Sequence, residues 1–146
     1  MKGRFAPSPT GRMHLGNIYA ALISWLSAKS QGGEWLLRIE DLDPQRSKYE
    51  YARLIEDDLH WLGLDWDEGG IDDNGSAGPY SQSRRGDIYN EYFDRLVDKG
   101  MIYTCHCTLA YVLETQAPHE SDGRVAYKGT CRPAAAPPFL FNSAEK

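Results

Sequence analysis

Five residues, Pro7-Ser8-Pro9-Thr10-Gly11, stop a short apolar strand at Arg4-Phe5-Ala6 and force the chain to turn before any long element begins. From His14 onward, Leu15, Ile18, Leu22, Trp25, Leu26 and Ala28 recur at helical spacing, and Gly32-Gly33 ends the pattern as a helix stop should. Glu34-Trp35-Leu36-Leu37-Arg38-Ile39 then reads as a mostly apolar strand whose carboxyl end delivers Glu40-Asp41-Leu42-Asp43. Strand, helix, strand is a βαβ unit, so the expected class is α/β.

The rest of the chain repeats this plan and then loses it. Ser47 is placed to cap a second helix, with Glu50 completing a capping box and Tyr51, Leu54, Ile55, Leu59 and Leu62 as its buried face, closed by Gly63. Asp65 to Tyr80 reads as a loop, Arg84 to Lys99 as a third helix stopped by Gly100, and Met101-Ile102-Tyr103 as a short strand. Beyond it, Pro118, Gly123, Gly129, Pro133, Pro137 and Pro138 break the chain too often for long elements, so a small irregular insertion is expected, ending in the connection Ala134-Ala135-Ala136-Pro137-Pro138. The expected organisation is a nucleotide-binding core over 1–104 and an insertion over 105–146. Two or three βα units leave a sheet edge open, so the architecture reads as incomplete.

Composition bounds the function. With 41% hydrophobic and 25% charged residues, the 146-residue chain matches an ordinary globular domain and not a disordered or fibrous one. No apolar run approaches the roughly 18 residues of a membrane span, and Met1-Lys2-Gly3-Arg4 lacks the apolar stretch of a secretory leader. A cytoplasmic protein is the expectation. Net charge is −5, but twelve acids and three bases crowd between Glu40 and Asp73. That concentration excludes a broadly basic coat while leaving a local phosphate-binding patch available, and a solvated acidic face is its plainest reading.

A strand that breaks at prolines and enters a helix through His14-Leu15-Gly16-Asn17 aims helix amides and the positive dipole end at the loop. An anion fits there, and a histidine beside a glycine that allows close backbone approach suits a triphosphate. A structural turn with a surface histidine is the alternative. The whole stretch Arg4 to Asn17, followed by Leu37-Arg38-Ile39-Glu40-Asp41-Leu42-Asp43 and Arg46, resembles the glutamyl and glutaminyl class I aminoacyl-tRNA synthetases over nearly all of residues 1 to 110. His14-Leu15-Gly16-Asn17 is similar to their His-Ile-Gly-His tetrapeptide, with Asn in the fourth place.

The resemblance implies a Rossmann-like catalytic core, of which this chain is the N-terminal half. It implies glutamate binding by Arg4, Phe5, Ala6, Pro7, Ser8 and Glu40, and ATP binding by Pro7, Ser8, Pro9, Thr10, Gly11, His14, Gly16 and Asn17, with His14 and Gly16 central to catalysis. The residues' own chemistry agrees: Arg4 is suited to bidentate capture of a carboxylate, and Ser8 and Glu40 to the hydroxyl-type and ammonium contacts of an amino acid. Magnesium would accompany ATP. The family's second, lysine-rich phosphate loop and its later tyrosine and arginine are not in this sequence, which implies that the chain alone is inactive.

Cys105-His106-Cys107, followed by Tyr127 and Cys131, offers three thiolates and a phenol for a four-coordinate site. His106 and His119 are alternative fourth ligands, and free buried cysteines are the other reading. Within the wider family, Cys-x-Cys followed by Tyr-x-x-x-Cys resembles the glutamyl-queuosine tRNA(Asp) synthetases, here as Tyr127-Lys128-Gly129-Thr130-Cys131-Arg132. That resemblance implies structural zinc in the insertion and, as partners, glutamate, ATP and tRNA(Asp) bearing queuosine. Arg84, Arg85, Arg124, Lys128 and Arg132 are candidates for RNA phosphates. The alternatives are the start of an ordinary glutamyl-tRNA synthetase, or a non-catalytic zinc-stabilised tRNA- or protein-binding module.

Overall fold

The computed structural model describes residues 1–108, 110–111 and 129–133. The chain divides into two units, Met1–Ile88 and Tyr89–Lys146. In the first, β1 (Lys2–Phe5), α1 (Leu15–Lys29), β2 (Glu34–Leu37), α2 (Tyr49–Trp61) and β3 (Glu68–Gly69) alternate, and the strands form a parallel sheet in the order β1-β2-β3. Lys2 pairs with Glu34 and Phe5 with Leu37, while Leu36 and Leu37 meet Glu68 and Gly69. This is the α/β plan expected from the two punctuated runs. No described helix is long and apolar enough to cross a membrane.

Alternation along the strands sorts their residues to two faces. Phe5, Trp35 and Leu37 point toward the helices, with Phe5 stacked on Trp35 at 6.1 Å between ring centroids. Ala21 and Ala28 of α1 and Ala52, Ile55 and Leu59 of α2 complete the core. Contact with α1 is close because both surfaces are small: a Cβ on Gly3 would lie 3.0 Å from the Ala28 Cβ and 3.2 Å from the Trp35 ring. The Trp35 indole N–H donates to Ser24 Oγ at 2.9 Å, fixing the helix along the strand. On the other face, Lys2 pairs with Glu34 and Glu68.

Four expectations are corrected. The capping box on α2 does not form: Lys48 is the N-cap residue and no side chain caps the helix. Ser47 Oγ is instead buried without a hydrogen-bond partner, because Ser47 N–H already donates to Asp43 O and the chain enters the helix one residue later. The Asp65–Tyr80 loop hides the two-residue strand β3, too short and too glycine-rich for any periodicity to reveal. Met101-Ile102-Tyr103 is not a strand. The third helix, α3, runs Gly86–Asp98 and is preceded by a single 3₁₀ turn at Gln82–Arg84. On α2, Leu62 is exposed and Ala52 joins the buried face in its place.

The acidic stretch is largely employed in the structure. Asp67 accepts from Trp35 N–H at 2.6 Å and from Lys29 Nζ at 2.7 and 2.8 Å, so one carboxylate ties the start of β2 to the end of α1. Lys29, then the Trp35 amide, hold the Asp67 carboxyl below the usual carboxylate range. Burial pushes the Glu56 carboxyl up, against the Ile71 N–H that it accepts at 2.6 Å.

Two outcomes follow. Ser47→Ala is expected to leave chemical-denaturation stability within about 0.5 kcal/mol of the parent, or to raise it, since it removes an unsatisfied buried hydroxyl; a loss of about 1 kcal/mol or more would restore the cap. Because the Asp67 carboxyl is depressed, its stabilisation is present above the ordinary value of 3.8 and is lost as pH falls through the lower folded value. Asp67→Asn is therefore expected to melt a few degrees lower at neutral pH and to converge with the parent in acid; a constant gap at every pH would refute the assignment.

Candidate functional site

The loop after β1 is held by its own carbonyls. Phe5 O accepts from Arg38 N–H, Pro7 O from Glu40 N–H and Pro9 O from Lys48 N–H, each at 3.0 Å. The two prolines fix φ, and Pro7 and Pro9 are both buried, so the segment runs as an extended rail along the carboxyl end of the sheet. The rail carries the chain to the N-terminus of α1, where helix amides face the loop.

His14 is the N-cap residue of α1. Its Nδ1 accepts from Gly16 N–H at 3.1 Å, and its own backbone N–H donates to Asn17 Oδ1 at 3.2 Å. This reciprocal arrangement is a capping box built from His and Asn in place of the usual Ser and Glu. A Cβ at Gly16 would sit 3.0 Å from His14 Cε1 and 3.2 Å from Nδ1, so any larger residue there would press on the imidazole. With Nδ1 accepting, the neutral imidazole carries its proton on Nε2, which is the donor available to an incoming oxygen.

Six of the eight residues expected at ATP, namely Pro7, Ser8, Thr10, Gly11, His14 and Asn17, line one cleft of about 350 Å³ together with Phe5, Ala6, Arg12, Met13 and Ile55. Gly16 forms the first helical turn behind it, and Pro9 lines a neighbouring cleft. Arg12, which the sequence reading left out, makes a two-pronged ion pair with Asp58 of α2 at 2.8 and 3.2 Å. This pair fixes the loop against α2.

The residues expected at glutamate fall into two groups. Phe5, Ala6, Pro7 and Ser8 line the cleft, whereas Arg4 and Glu40 do not. Strand alternation puts Arg4 on the face opposite Phe5, where it is exposed and, among the described residues, without a carboxylate partner. Glu40 is tied through its N–H to Pro7, and its carboxylate accepts from Arg38 Nε at 2.9 Å and Gln82 Nε2 at 3.3 Å. Arg38 and the buried Gln82 therefore orient Glu40, and neither was legible: Gln82 sits in a polar run with no periodicity. Ser81 and Ser83 extend this support, Ser81 by bridging to Ile39 and Ser83 by donating its N–H and hydroxyl to Asp41. Asp43 closes its own turn, accepting from Gln45 N–H, Arg46 N–H and Arg46 Nε.

Arg84 is paired with Asp73 and Arg85 donates to Pro79 O, so both expected phosphate ligands are engaged within the fold. Arg132 lies 5.8 Å from the Tyr103 ring centroid, and Arg124 and Lys128 fall outside the described residues.

In the second unit the Sγ atoms of Cys105, Cys107 and Cys131 all lie within 4.8 Å of one another, with Cys107 and Cys131 at 3.4 Å. None of the three is joined in a disulfide. Tetrahedral zinc with sulfur at about 2.3 Å needs neighbouring sulfurs just under 4 Å apart, so three of its corners fit this group. The hydrogen bond with Cys131, then burial, pushes the Cys107 thiol up to about 11, a cost that a bound cation would reverse. The expected ligand Tyr127 and the alternative His119 lie outside the described residues, while His106 lines a shallow cleft with Cys107 and Cys131.

Residues 1–135 match the family described as tRNA synthetases class I (E and Q), catalytic domain. Among curated relatives, a Glutamyl-Q tRNA(Asp) synthetase of Nitratidesulfovibrio vulgaris is 50% identical over 133 residues, covering 90% of this chain and 41% of the relative. A Glutamate–tRNA ligase of Symbiobacterium thermophilum is 45% identical over 130 residues, covering 88% and 27%. The crystal structure of a glutamate tRNA ligase from Elizabethkingia meningosepticum in complex with its amino acid superposes with a TM-score of 0.67 at 36% identity, over 86% of this chain and 25% of that one. The chain thus spans less than half the length of these relatives. With the loop, the capped helix and the parallel sheet in place over the matched residues, the chain belongs to the class I tRNA synthetases of the glutamyl and glutaminyl catalytic-domain family.

Proposed function

We propose that this chain builds the first half of a glutamate-activating site. The observation that carries the reading is the His14–Asn17 reciprocal cap, which presents α1 amides and the His14 Nε2–H at the end of β1 beside a cleft of about 350 Å³. In the proposed reaction an α-carboxylate oxygen of glutamate attacks the α-phosphorus of ATP, the bond to the bridging oxygen breaks, and pyrophosphate leaves with glutamyl-adenylate formed. His14 and the α1 amides donate to phosphate oxygens as their charge grows, and the magnesium that accompanies ATP would supply further charge neutralisation. Arg4 holds the glutamate side-chain carboxylate, and Glu40, steadied by Arg38 and Gln82, takes the ammonium. Ser8, which lines the cleft, is assigned to both ligands.

The finer acceptor proposed is the queuosine of tRNA(Asp), supported by relatives bearing that name and by the Tyr127 and Cys131 spacing. Relatives named for glutamate–tRNA ligation support ordinary tRNA(Glu) as the second reading, and an acceptor swap separates the two. Zinc is proposed as a structural ion on Cys105, Cys107 and Cys131, with Tyr127 as the fourth ligand.

The decisive assay is glutamate-dependent exchange of pyrophosphate into ATP without tRNA. It is run on the 146-residue chain and on the chain joined to the C-terminal portion of the Nitratidesulfovibrio relative. Exchange in the joined protein is expected, with Arg4→Lys lowering kcat/KM for glutamate about 30-fold, or about 2 kcal/mol, and leaving the KM for ATP nearly unchanged. Absence of exchange in both folded proteins would favour the non-catalytic binding module. Elemental analysis is expected to find one tightly held zinc ion per chain, lost in Cys131→Ala; undiminished zinc in that variant would remove the site.

A further inference from the structure

Arg12 has two hydrogen-bonding edges, and the fold uses one of them. Its Nε donates to Asp58 Oδ2 at 3.2 Å and its Nη2 to Asp58 Oδ1 at 2.8 Å, a side-on contact that takes two of the five N–H groups of a guanidinium. The end-on fork, made of Nη1 and the second Nη2 hydrogen, has no partner among the described residues. A planar guanidinium held along one edge keeps the other fixed, and that fork has the spacing of two phosphate or carboxylate oxygens.

Stability does not account for the pair. The Arg12 side chain is 69% exposed, and an ion pair so open to water adds little to a fold. The loop is also tied to α2 without it, since Pro9 O accepts from the amide of Lys48, the N-cap residue of that helix.

Position says more. Arg12 lines the cleft beside His14, and of the residues in that lining it alone carries a fixed charge. The α1 amides supply only the partial charge of a helix terminus, whereas a triphosphate brings several full negative charges. On its other side Arg12 borders a second cleft that also holds Asp57 and Asp58, whose charge repels an anion. An anion therefore meets the open fork from the His14 side. There is room for it there, because a Cβ added at the adjacent Gly11 would meet nothing within 4 Å.

We propose that Arg12 is a nucleotide-binding residue whose end-on fork takes two phosphate oxygens of ATP, and that Asp58 is the positioning residue that sets it. The inference deepens the reading of this cleft as the ATP site and rests on it. Four donated hydrogen bonds are shared between two anions, two to Asp58 and two to the phosphate chain, a division that a lysine ammonium cannot copy. Held in this way, the phosphate chain is fixed while the α-phosphorus is attacked, and charge on the departing pyrophosphate is offset by a group already in place.

The test measures binding of ATP and of inorganic tripolyphosphate to the 146-residue chain by calorimetry, and the KM for ATP of the chain joined to the C-terminal portion of the Nitratidesulfovibrio relative. Arg12→Gln is expected to weaken both ligands about tenfold and to raise the KM for ATP by a similar factor, with the KM for glutamate within about twofold. Arg12→Lys keeps the charge but loses the fork, and is expected to stay about fivefold weaker than the parent. Asp58→Asn breaks the side-on pair but leaves the guanidinium, and is expected to cost about threefold. Far-UV circular dichroism checks that all three variants fold. A loop clamp without phosphate contact predicts equal losses from Arg12→Gln and Asp58→Asn. Equal losses, or ATP and tripolyphosphate affinities that Arg12→Gln leaves within about twofold of the parent, would overturn the proposal while the ATP site stands. No nucleotide binding by any form, the parent included, would remove the ATP site itself and the role of Arg12 with it.

Discussion

Three backbone hydrogen bonds hold the end of β1 to the rest of the fold: Phe5 O to Arg38, Pro7 O to Glu40 and Pro9 O to Lys48. A loop without them would carry unsatisfied carbonyls and free φ/ψ angles, and the α1 N-terminus would have no fixed place relative to Glu40. With them, β1, β2 and the start of α2 share one extended segment. Arg12 adds a side-chain tie to Asp58, so the cleft beside His14 has rigid walls before any ligand arrives. The prolines matter twice, fixing φ and, by lacking N–H groups, leaving only carbonyls for the neighbours to satisfy.

The small residues beneath α1 have a matching consequence. Gly3, Ala21, Ser24 and Ala28 let helix and sheet approach closely, and Trp35 fills the remaining space with its N–H satisfied by Ser24. The core of this unit is therefore thin and rests on a few large side chains, chiefly Trp35, Leu37, Ile55 and Leu59. Close approach also leaves most of the long apolar side chains of α1, Trp25 apart, turned away from the sheet. The helix that positions the site thus leaves Leu15, Tyr19, Leu22, Ile23 and Leu26 exposed.

How much of this could be read from residues depended on what each signal reports. The βαβ frame was legible because apolar spacing and Pro/Gly punctuation report local geometry directly, and β1, α1, β2 and α2 lie close to where those signals put them. The direction of the α1 face was not: spacing shows that a stripe exists, and only the close packing at Gly3 decides which side meets the sheet. Ser47 failed for a similar reason, since a Ser-x-x-Glu pattern cannot show that the Ser47 N–H is already committed to Asp43. The sequence singles out Glu40 but not its support, because Gln82 is forty-two positions away and its burial is set by the Ile39–Ser81 bridge. The acidic stretch, plainest as a solvated face, proved to be a set of local clamps at Asp41, Asp43, Asp58, Asp67 and Asp73.

The asparagine at position 17 gains a physical role from the same geometry. A residue three places after the N-cap reaches back to the N-cap N–H only if its side chain carries an acceptor of the right length, and Asn17 Oδ1 does so. That bond fixes the His14 backbone, while the Gly16 amide fixes the imidazole through Nδ1, so the ring is held from two sides by its own helix turn. With Nδ1 turned to the Gly16 amide, Nε2 is the ring nitrogen left to face a ligand. At this turn a phosphate meets the α1 amides and the helix dipole, and His14 contributes direction. Asn17 thus holds His14 in place and also lines the cleft, so the geometry asks of the fourth position of the tetrapeptide a side chain that can close the cap.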